Sequence, residues 1–354
     1  MTHVVQVAVQ SGAKQRESNL ELLRIILMLF IIAHHYVVNS KVGIMMRNDD
    51  VNLYSTFYYI LGAWGKTGIN CFVLITGYFM CKSNISLYKF LKLYLEIKFY
   101  QYAIWAIFYF CGLSSFGIRT IVGLLPFTSI GTSFTNAYMA FFLFIPFLNI
   151  CVKNLSRRHH FLLICLLLWI YTVLCMGGMV TYNYLSWFIT LYFIASFIRF
   201  YGVPYYNSVK VWGWTTIVLF FVSIGSIFAP LLIGKRPIYF FESDSNHLLA
   251  LLLSVSCFLF FKNLKIRYNR FINAIAATTF GIFLIHTRGS EMRQWLWSEV
   301  IDCGGHYSVD YFWAYAIASV LAIFCVCSII DLIRIHFLEK NLFVLLGKWL
   351  PKYF

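Results

Sequence analysis

Two side chains in the first apolar segment have types and a spacing that suit chemistry. Ten residues separate Arg24 from His35. On an α-helix this spacing turns through about 1,100°, roughly 20° past three full turns, so both side chains share one face. They would lie about 16 Å apart along the helix axis. Since a neutral histidine is a general base near pH 7 and an arginine binds anions, one helix face carries both groups at different depths.

Other polar residues in apolar stretches are predicted to lie at the depth of His35. His34 adjoins it, and Lys66 and Asn70 are four residues apart, so they share a helix face. His286 ends a later apolar segment. Because ionisable groups are costly inside a membrane, we expect this supporting polar cluster to be functional. An interfacial position for His286 and Arg288 remains an open alternative.

A second group of charged residues is predicted near Arg24. It contains Glu21, Lys82 and Lys92, and with Arg24 these lysines would suit a phosphate-bearing ligand. Each has a simpler interpretation. Ser18 and Glu21 match a capping box, and Arg24 has the length to reach lipid headgroups. The lysines fit the usual excess of basic residues on the cytoplasmic side of a membrane protein. Among the aromatic residues, Trp187 is a candidate for stacking on a sugar.

The composition indicates what these residues are embedded in. The chain has 354 residues, of which 61% are hydrophobic, 20% aromatic and only 12% charged. Soluble domains are about 25% charged, so a soluble enzyme, a disordered chain and a disulfide scaffold are excluded. Most of the ten cysteines lie inside apolar runs and are interpreted as small hydrophobic residues.

The hydropathy pattern predicts an all-α, polytopic transmembrane bundle. A short N-terminal segment, 1–17, precedes a membrane domain at 18–340 and a tail at 341–354. The stretch from Arg119 to Thr128 is short and amphipathic, which suits a re-entrant or interfacial segment. About ten spans are predicted, each close to the length that crosses a bilayer: 20–38, 57–80, 90–112, 136–152, 160–180, 184–201, 211–233, 247–262, 271–287 and 311–333.

The basic residues predict the orientation of this bundle. With the N-terminus inside, eighteen of the 28 lysines and arginines fall on the cytoplasmic side and seven outside. This asymmetry predicts that both termini are cytoplasmic. It also explains the net charge of +15 without any nucleic-acid partner. Since the loops are short, any chemistry must occur within the bundle or at its mouths.

Four parts of the chain resemble the acyltransferase-3 family, the ten-helix bacterial enzymes that modify cell-surface polysaccharides. The first is Arg24 and His35, with Glu21 where relatives commonly have Asp. The others resemble three further family segments, the first with Thr76 where relatives have Ser: Phe72–Phe79, Ala137–Asn149 and Phe280–His286.

The resemblance implies transfer of an acyl group, most often acetyl, from cytoplasmic acyl-CoA to a glycan hydroxyl. His35 would be the base or a transient acyl carrier, Arg24 would lie near the donor, and Lys82 or Lys92 would contact it. Acetyl-CoA would be a substrate, with no permanently bound cofactor and no metal. The other partners would be the lipid bilayer and a glycan or lipid-linked glycan, at a bacterial plasma membrane.

The chain also departs from the family pattern. It lacks the paired-arginine motif and the Trp-Ser-Leu-x-x-Glu segment of some relatives. Two other functions stay open beside acyl transfer. Polar residues at two depths also suit a transporter or flippase of a polysaccharide intermediate. A membrane glycosyltransferase would use an external carboxylate such as Asp49 or Asp50. The acyl group, the acceptor and the oligomeric state remain open.

Overall fold

A computed structural model describes residues 17–115, 117, 122, 123, 125 and 133–342 of the chain. Within these residues the protein is all-α, with no β-strand. The predicted segment from Arg119 to Thr128 lies almost entirely outside the described residues. The same is true of residues 1–16 and of the tail from residue 343.

The first half of the fold begins with one long helix and ends with another. Its helices are α1 Ser18–Val38, α2 Val42–Asn48, α3 Leu53–Leu61, α4 Gly65–Met80, α5 Leu87–Phe110 and α6 Phe134–Asn154. The second predicted span is therefore two helices, α3 and α4, separated by a break at 62–64.

The second half contains α7 Arg157–Leu168, α8 Tyr184–Tyr201, α9 Val209–Phe228, α10 Leu248–Asn263, α11 Arg270–Ala276, α12 Thr279–His286, α13 Gly289–Gln294 and α14 Phe312–Arg334. Short π-helical turns extend α7 to Leu174, α13 to Val300 and α14 to Glu339, and a 3-10 turn extends α9 to Ile233. The ninth predicted span divides into α11 and α12, and the chain then bends by 103° into α13.

Six helices in the described part of the chain are long and apolar enough to cross a membrane, and the bent pair would be a seventh. The six are Ser18–Val38, Phe134–Asn154, Arg157–Leu174, Tyr184–Tyr201, Val209–Ile233 and Phe312–Leu342. The protein is thus a multi-pass membrane protein. The remaining predicted spans coincide with α3–α4, α5 and α10, which are broken, more charged or shorter. Ten spans therefore remain a prediction.

Polar side chains at the helix starts explain where several helices begin. At each start a Ser or Asn side chain accepts a hydrogen bond from a backbone N–H of the first turn, which would otherwise lack a partner. These capping residues are Asn52, Ser86, Ser133, Ser156, Asn183, Ser208 and Asn269.

Helix α1 lies at the centre of the bundle and packs against α4, α10, α11, α12 and α14. Its side chains Leu23, Leu27 and Tyr36 are fully buried. Helices α7 and α9 instead expose large apolar side chains, such as Trp169 and Trp214. Large apolar side chains exposed on the outside of the bundle suit contact with lipid. The central position of α1 places Arg24 and His35 inside the protein.

Candidate functional site

His35 and His286 form a hydrogen-bonded pair. Nδ1 of His35 lies 3.0 Å from Nε2 of His286, and Nδ1 of His286 lies 2.6 Å from the carbonyl oxygen of Ile282. A carbonyl oxygen only accepts, so Nδ1 of His286 donates to Ile282. In a neutral pair, Nε2 of His286 then accepts from Nδ1 of His35. This assignment leaves Nε2 of His35 unprotonated, as a general base requires.

His35 lines a cavity of about 340 Å³, which we call the His35 cavity. His34 lines it as well, and its Nδ1 donates to the carbonyl oxygen of Gly62 over 2.6 Å. A Cβ atom at Gly65 would overlap the His34 side chain, so glycine is needed for this close approach. The break between α3 and α4 thus supplies the carbonyl group and the space that hold the His34 ring.

Basic side chains also line the His35 cavity. They are Lys66, Arg288 and Arg293. Nζ of Lys66 lies 3.5 Å from a carboxylate oxygen of Asp244, in the loop between α9 and α10. The structure therefore brings His34, His35 and Lys66 to one cavity, with His286 behind His35. The cationic pair Arg288 and Arg293 was not predicted as part of the site, although both follow His286 closely in the sequence.

Asn70 holds the loop between α9 and α10 from within the bundle. Its side chain is fully buried, and Nδ2 donates to the carbonyl oxygen of Ser245 over 2.6 Å. Its Oδ1 accepts from Nε1 of Trp187 over 2.9 Å. Lys66 binds the preceding residue of the same loop, Asp244, so the predicted shared face of Lys66 and Asn70 is confirmed. The interpretation of Trp187 as a sugar platform is wrong, because its ring is fully buried.

The same loop is packed into the bundle at a third point. Glu242 is buried, and its Oε1 accepts a hydrogen bond from the hydroxyl of Ser226 over 3.0 Å. Burial raises the pKa of this carboxyl group above its usual range. With Lys66 and Asn70, this contact fixes the loop that carries Asp244 beside the His35 cavity.

A second, smaller cavity of about 110 Å³ contains Arg24, and we call it the Arg24 cavity. Nε of Arg24 is buried and has no hydrogen-bond partner among the described residues. Thr76 and Tyr138 also line this cavity, and their hydroxyl oxygens lie 2.9 Å apart. The residue types of this cavity would bind an anion at Arg24.

The two cavities are neighbours, and we call the apolar residues that line both of them the apolar ring. Four residues line both of them: Ile31, Ile69, Phe134 and Phe283. Arg24 and His35 therefore line neighbouring cavities inside the bundle. All four segments that carry the sequence resemblance contribute to the lining of these two cavities, through Arg24 and His35, Thr76, Tyr138 and Phe283.

The predicted donor residues other than Arg24 lie elsewhere. Lys92 pairs with Glu339 and lines a different pocket, while Nζ of Lys82 lies 5.0 Å from the centre of the Phe200 ring. Neither lysine is among the residues that line the Arg24 cavity. Glu21 is buried, at 8% exposure.

The capping-box interpretation of Ser18 and Glu21 is wrong. Helix α1 begins after Glu17, without a side-chain cap. The Ser18 hydroxyl instead donates to Oδ1 of Asn273 over 3.2 Å and accepts from the backbone N–H of Asn269 over 2.8 Å. It thereby fastens the start of α1 to the start of α11.

A buried ionic cluster around Arg334 was not predicted. Its three guanidinium nitrogens donate to Asp331 over 2.6 Å, to Glu339 over 2.9 Å and to Glu96 over 2.9 Å. The Tyr100 hydroxyl also donates to Asp331, over 2.6 Å. The spacing of Asp331 and Arg334, three residues apart in an apolar segment, is the signal that could have revealed part of it.

The fold and the site define a multi-pass membrane protein with a candidate general base in a cavity inside its helix bundle. Residues 17–331 match the acyltransferase-3 family, whose description is an acyltransferase domain. The chain therefore belongs to this family, and the predicted resemblance is confirmed. Comparison with curated proteins and with solved structures gives no match.

Proposed function

We propose that this acyltransferase moves an acyl group, acetyl in the first instance, from cytoplasmic acyl-CoA to a hydroxyl of an exported or cell-surface polysaccharide. It would act in a bacterial plasma membrane, with ten spans and both termini in the cytoplasm. The observation that carries the proposal is the hydrogen bond between His35 and His286 at the His35 cavity, beside a second cavity that contains Arg24 and shares four lining residues with the first.

The two cavities suit a long donor with an anionic end. Arg24, with its unpartnered Nε, would bind a phosphate group of the donor. The thin acyl-bearing arm would then pass the ring formed by Ile31, Ile69, Phe134 and Phe283. The rise of α1 separates Arg24 from His35 by about 16 Å, which brings the thioester to the base.

The histidine pair accounts for the chemical steps. Nε2 of His35 takes the proton of the acceptor hydroxyl, whose oxygen attacks the thioester carbonyl carbon. The carbon–sulfur bond then breaks, and the proton on His35 passes to the leaving thiolate. Hydrogen bonding to His286, itself fixed by the Ile282 carbonyl, holds the His35 ring in the required tautomer. The Lys66 ammonium favours the negative charge that develops on the carbonyl oxygen.

An assay without a membrane gradient separates this proposal from transport. Purified protein in detergent would be incubated with acetyl-CoA and a bacterial surface polysaccharide. Release of free CoA and mass spectrometry of the polysaccharide would be followed together. We expect CoA release that depends on the acceptor, with one added acetyl mass per CoA. Polysaccharide movement across vesicles without any acylation would contradict the proposal and support a transporter.

A further inference from the structure

The His35 cavity contains more positive than negative charge. Lys66, Arg288 and Arg293 line it, and Lys66 alone of these three has a described carboxylate within 4 Å, that of Asp244. Nε of Arg293 donates to the carbonyl oxygen of Gly289 over 2.9 Å. Arg288 has no ion pair within the part of the chain that the structure describes. The arginines therefore have charge available to a ligand.

The positions of the two arginines place this charge beside the base. Arg288 follows His286 by two residues, where the chain bends by 103° between α12 and α13. Arg293 lines the same cavity as His35. Lys98 adds a further positive charge near Arg288. Glu291, which is exposed, is an acidic side chain near Arg288. The excess positive charge therefore lies in the same cavity as His35, where the proposed function places the acceptor hydroxyl.

Arg288 is partly buried and Arg293 is exposed, and like charges gathered at one cavity repel one another, which a bound anion would relieve. The guanidinium group matches carboxylate and phosphate groups with two parallel hydrogen bonds. In the proposed function, Arg24 binds the donor phosphates on the other side of the apolar ring. An anion in the His35 cavity would therefore belong to the acceptor.

We propose that the acceptor is an anionic glycan, and that Arg288 and Arg293 bind its carboxylate or phosphate group in the His35 cavity. This inference rests on the proposed acyltransferase function and adds the substrate class. Binding of the anion turns the neighbouring hydroxyl towards Nε2 of His35. The two arginines are then residues that determine specificity.

Matched acceptors test the inference. A hexuronic acid oligosaccharide would be compared with its carboxamide, which keeps the same ring hydroxyls, and with a phosphate-bearing oligosaccharide of the same length. The kcat/KM for each acceptor would be measured at saturating acetyl-CoA. We expect an anionic acceptor to exceed the carboxamide by about 10- to 100-fold, the effect of one or two charge-assisted hydrogen bonds. The preferred anion identifies whether carboxylate or phosphate is the natural group.

Two arginine variants test which side chains produce the preference for an anionic acceptor. Arg288→Gln and Arg293→Gln should each lower kcat/KM for the anionic acceptor by about 10-fold and leave that for the carboxamide nearly unchanged. Lys235→Gln is the matched control, because it removes one positive charge from an exposed loop residue that does not line the cavity. This control should retain the wild-type preference.

Three results would overturn the inference while the acyltransferase function stands. They are equal activity towards the anionic and neutral acceptors, equal losses for both acceptors in the arginine variants, and a raised KM for acetyl-CoA in place of the acceptor. Absence of CoA release with every acceptor would contradict the proposed function itself, and this inference would fail with it.

Discussion

Arg24 and Arg334 lie at the same end of the bundle but have different surroundings. All three nitrogens of Arg334 donate to carboxylates, those of Asp331, Glu339 and Glu96. Nε of Arg24 has no described partner and lies at a cavity. A charge satisfied by the protein holds helices together, whereas one left open at a cavity is available to a ligand. The predictions below test this division between a structural and a ligand-binding region.

The largest effect is expected at His35. His35→Ala removes the proposed base and should lower kcat by about 10²- to 10⁴-fold, while the protein stays folded. Acceptor-dependent CoA release by purified protein measures this loss. The matched control is His159→Ala, which removes an exposed histidine near the start of α7. Retention of full activity in His35→Ala would exclude a catalytic role.

Substitution of Arg334 is expected to cost a similar free energy, but in folding stability and not in catalysis. Arg334→Met removes the cation that binds the buried Asp331 and the partly buried Glu96, while Glu339 keeps Lys92, and it should lower the free energy of unfolding by about 3–5 kcal/mol. Thermal unfolding in detergent checks this loss, with Arg24→Met as the comparison. If Arg24→Met is equally destabilising, the assignment of Arg24 to a ligand site loses its support.

A smaller effect is expected at Arg24, and in substrate binding. Arg24→Gln should raise the KM for acetyl-CoA by about 10- to 100-fold, because one charge-assisted contact to the donor is lost. The KM for the acceptor should change little. A change confined to the acceptor would place the donor elsewhere and reverse the proposed direction of the path.

The smallest effect is expected at Lys92. Its side chain is 42% exposed and pairs with Glu339, and such surface pairs contribute about 0–1 kcal/mol. Lys92→Gln should therefore change neither the melting temperature nor the KM for acetyl-CoA appreciably. A KM increase as large as that of Arg24→Gln would restore Lys92 to the donor site, as the family resemblance implied.

Helical periodicity and composition predicted much of the fold. They identified an all-α membrane bundle and the shared face of Arg24 and His35, because both follow from local sequence. They missed the breaks at residues 62–64 and 277–278. In these places the apolar pattern continues through the break, so hydropathy alone shows no boundary.

Long-range packing limited the prediction of the site. The hydrogen bond between His35 and His286 joins residues 251 apart in sequence, and that between Glu96 and Arg334 joins residues 238 apart. The depth of each histidine predicted that they would lie close, but nothing local paired Arg334 with Glu96. Lys92 was assigned to the donor from its charge and the family resemblance, and its carboxylate partner lies in a distant segment.

A double-mutant cycle at His35 and His286 tests the central claim most directly. Acceptor-dependent CoA release would be measured for His35→Ala, His286→Ala and the double variant, each normalised to folded protein. If His286 acts by positioning His35, its loss should lower kcat in the wild type and have no further effect in His35→Ala. Fully additive losses would contradict the account, because the two histidines would then act independently.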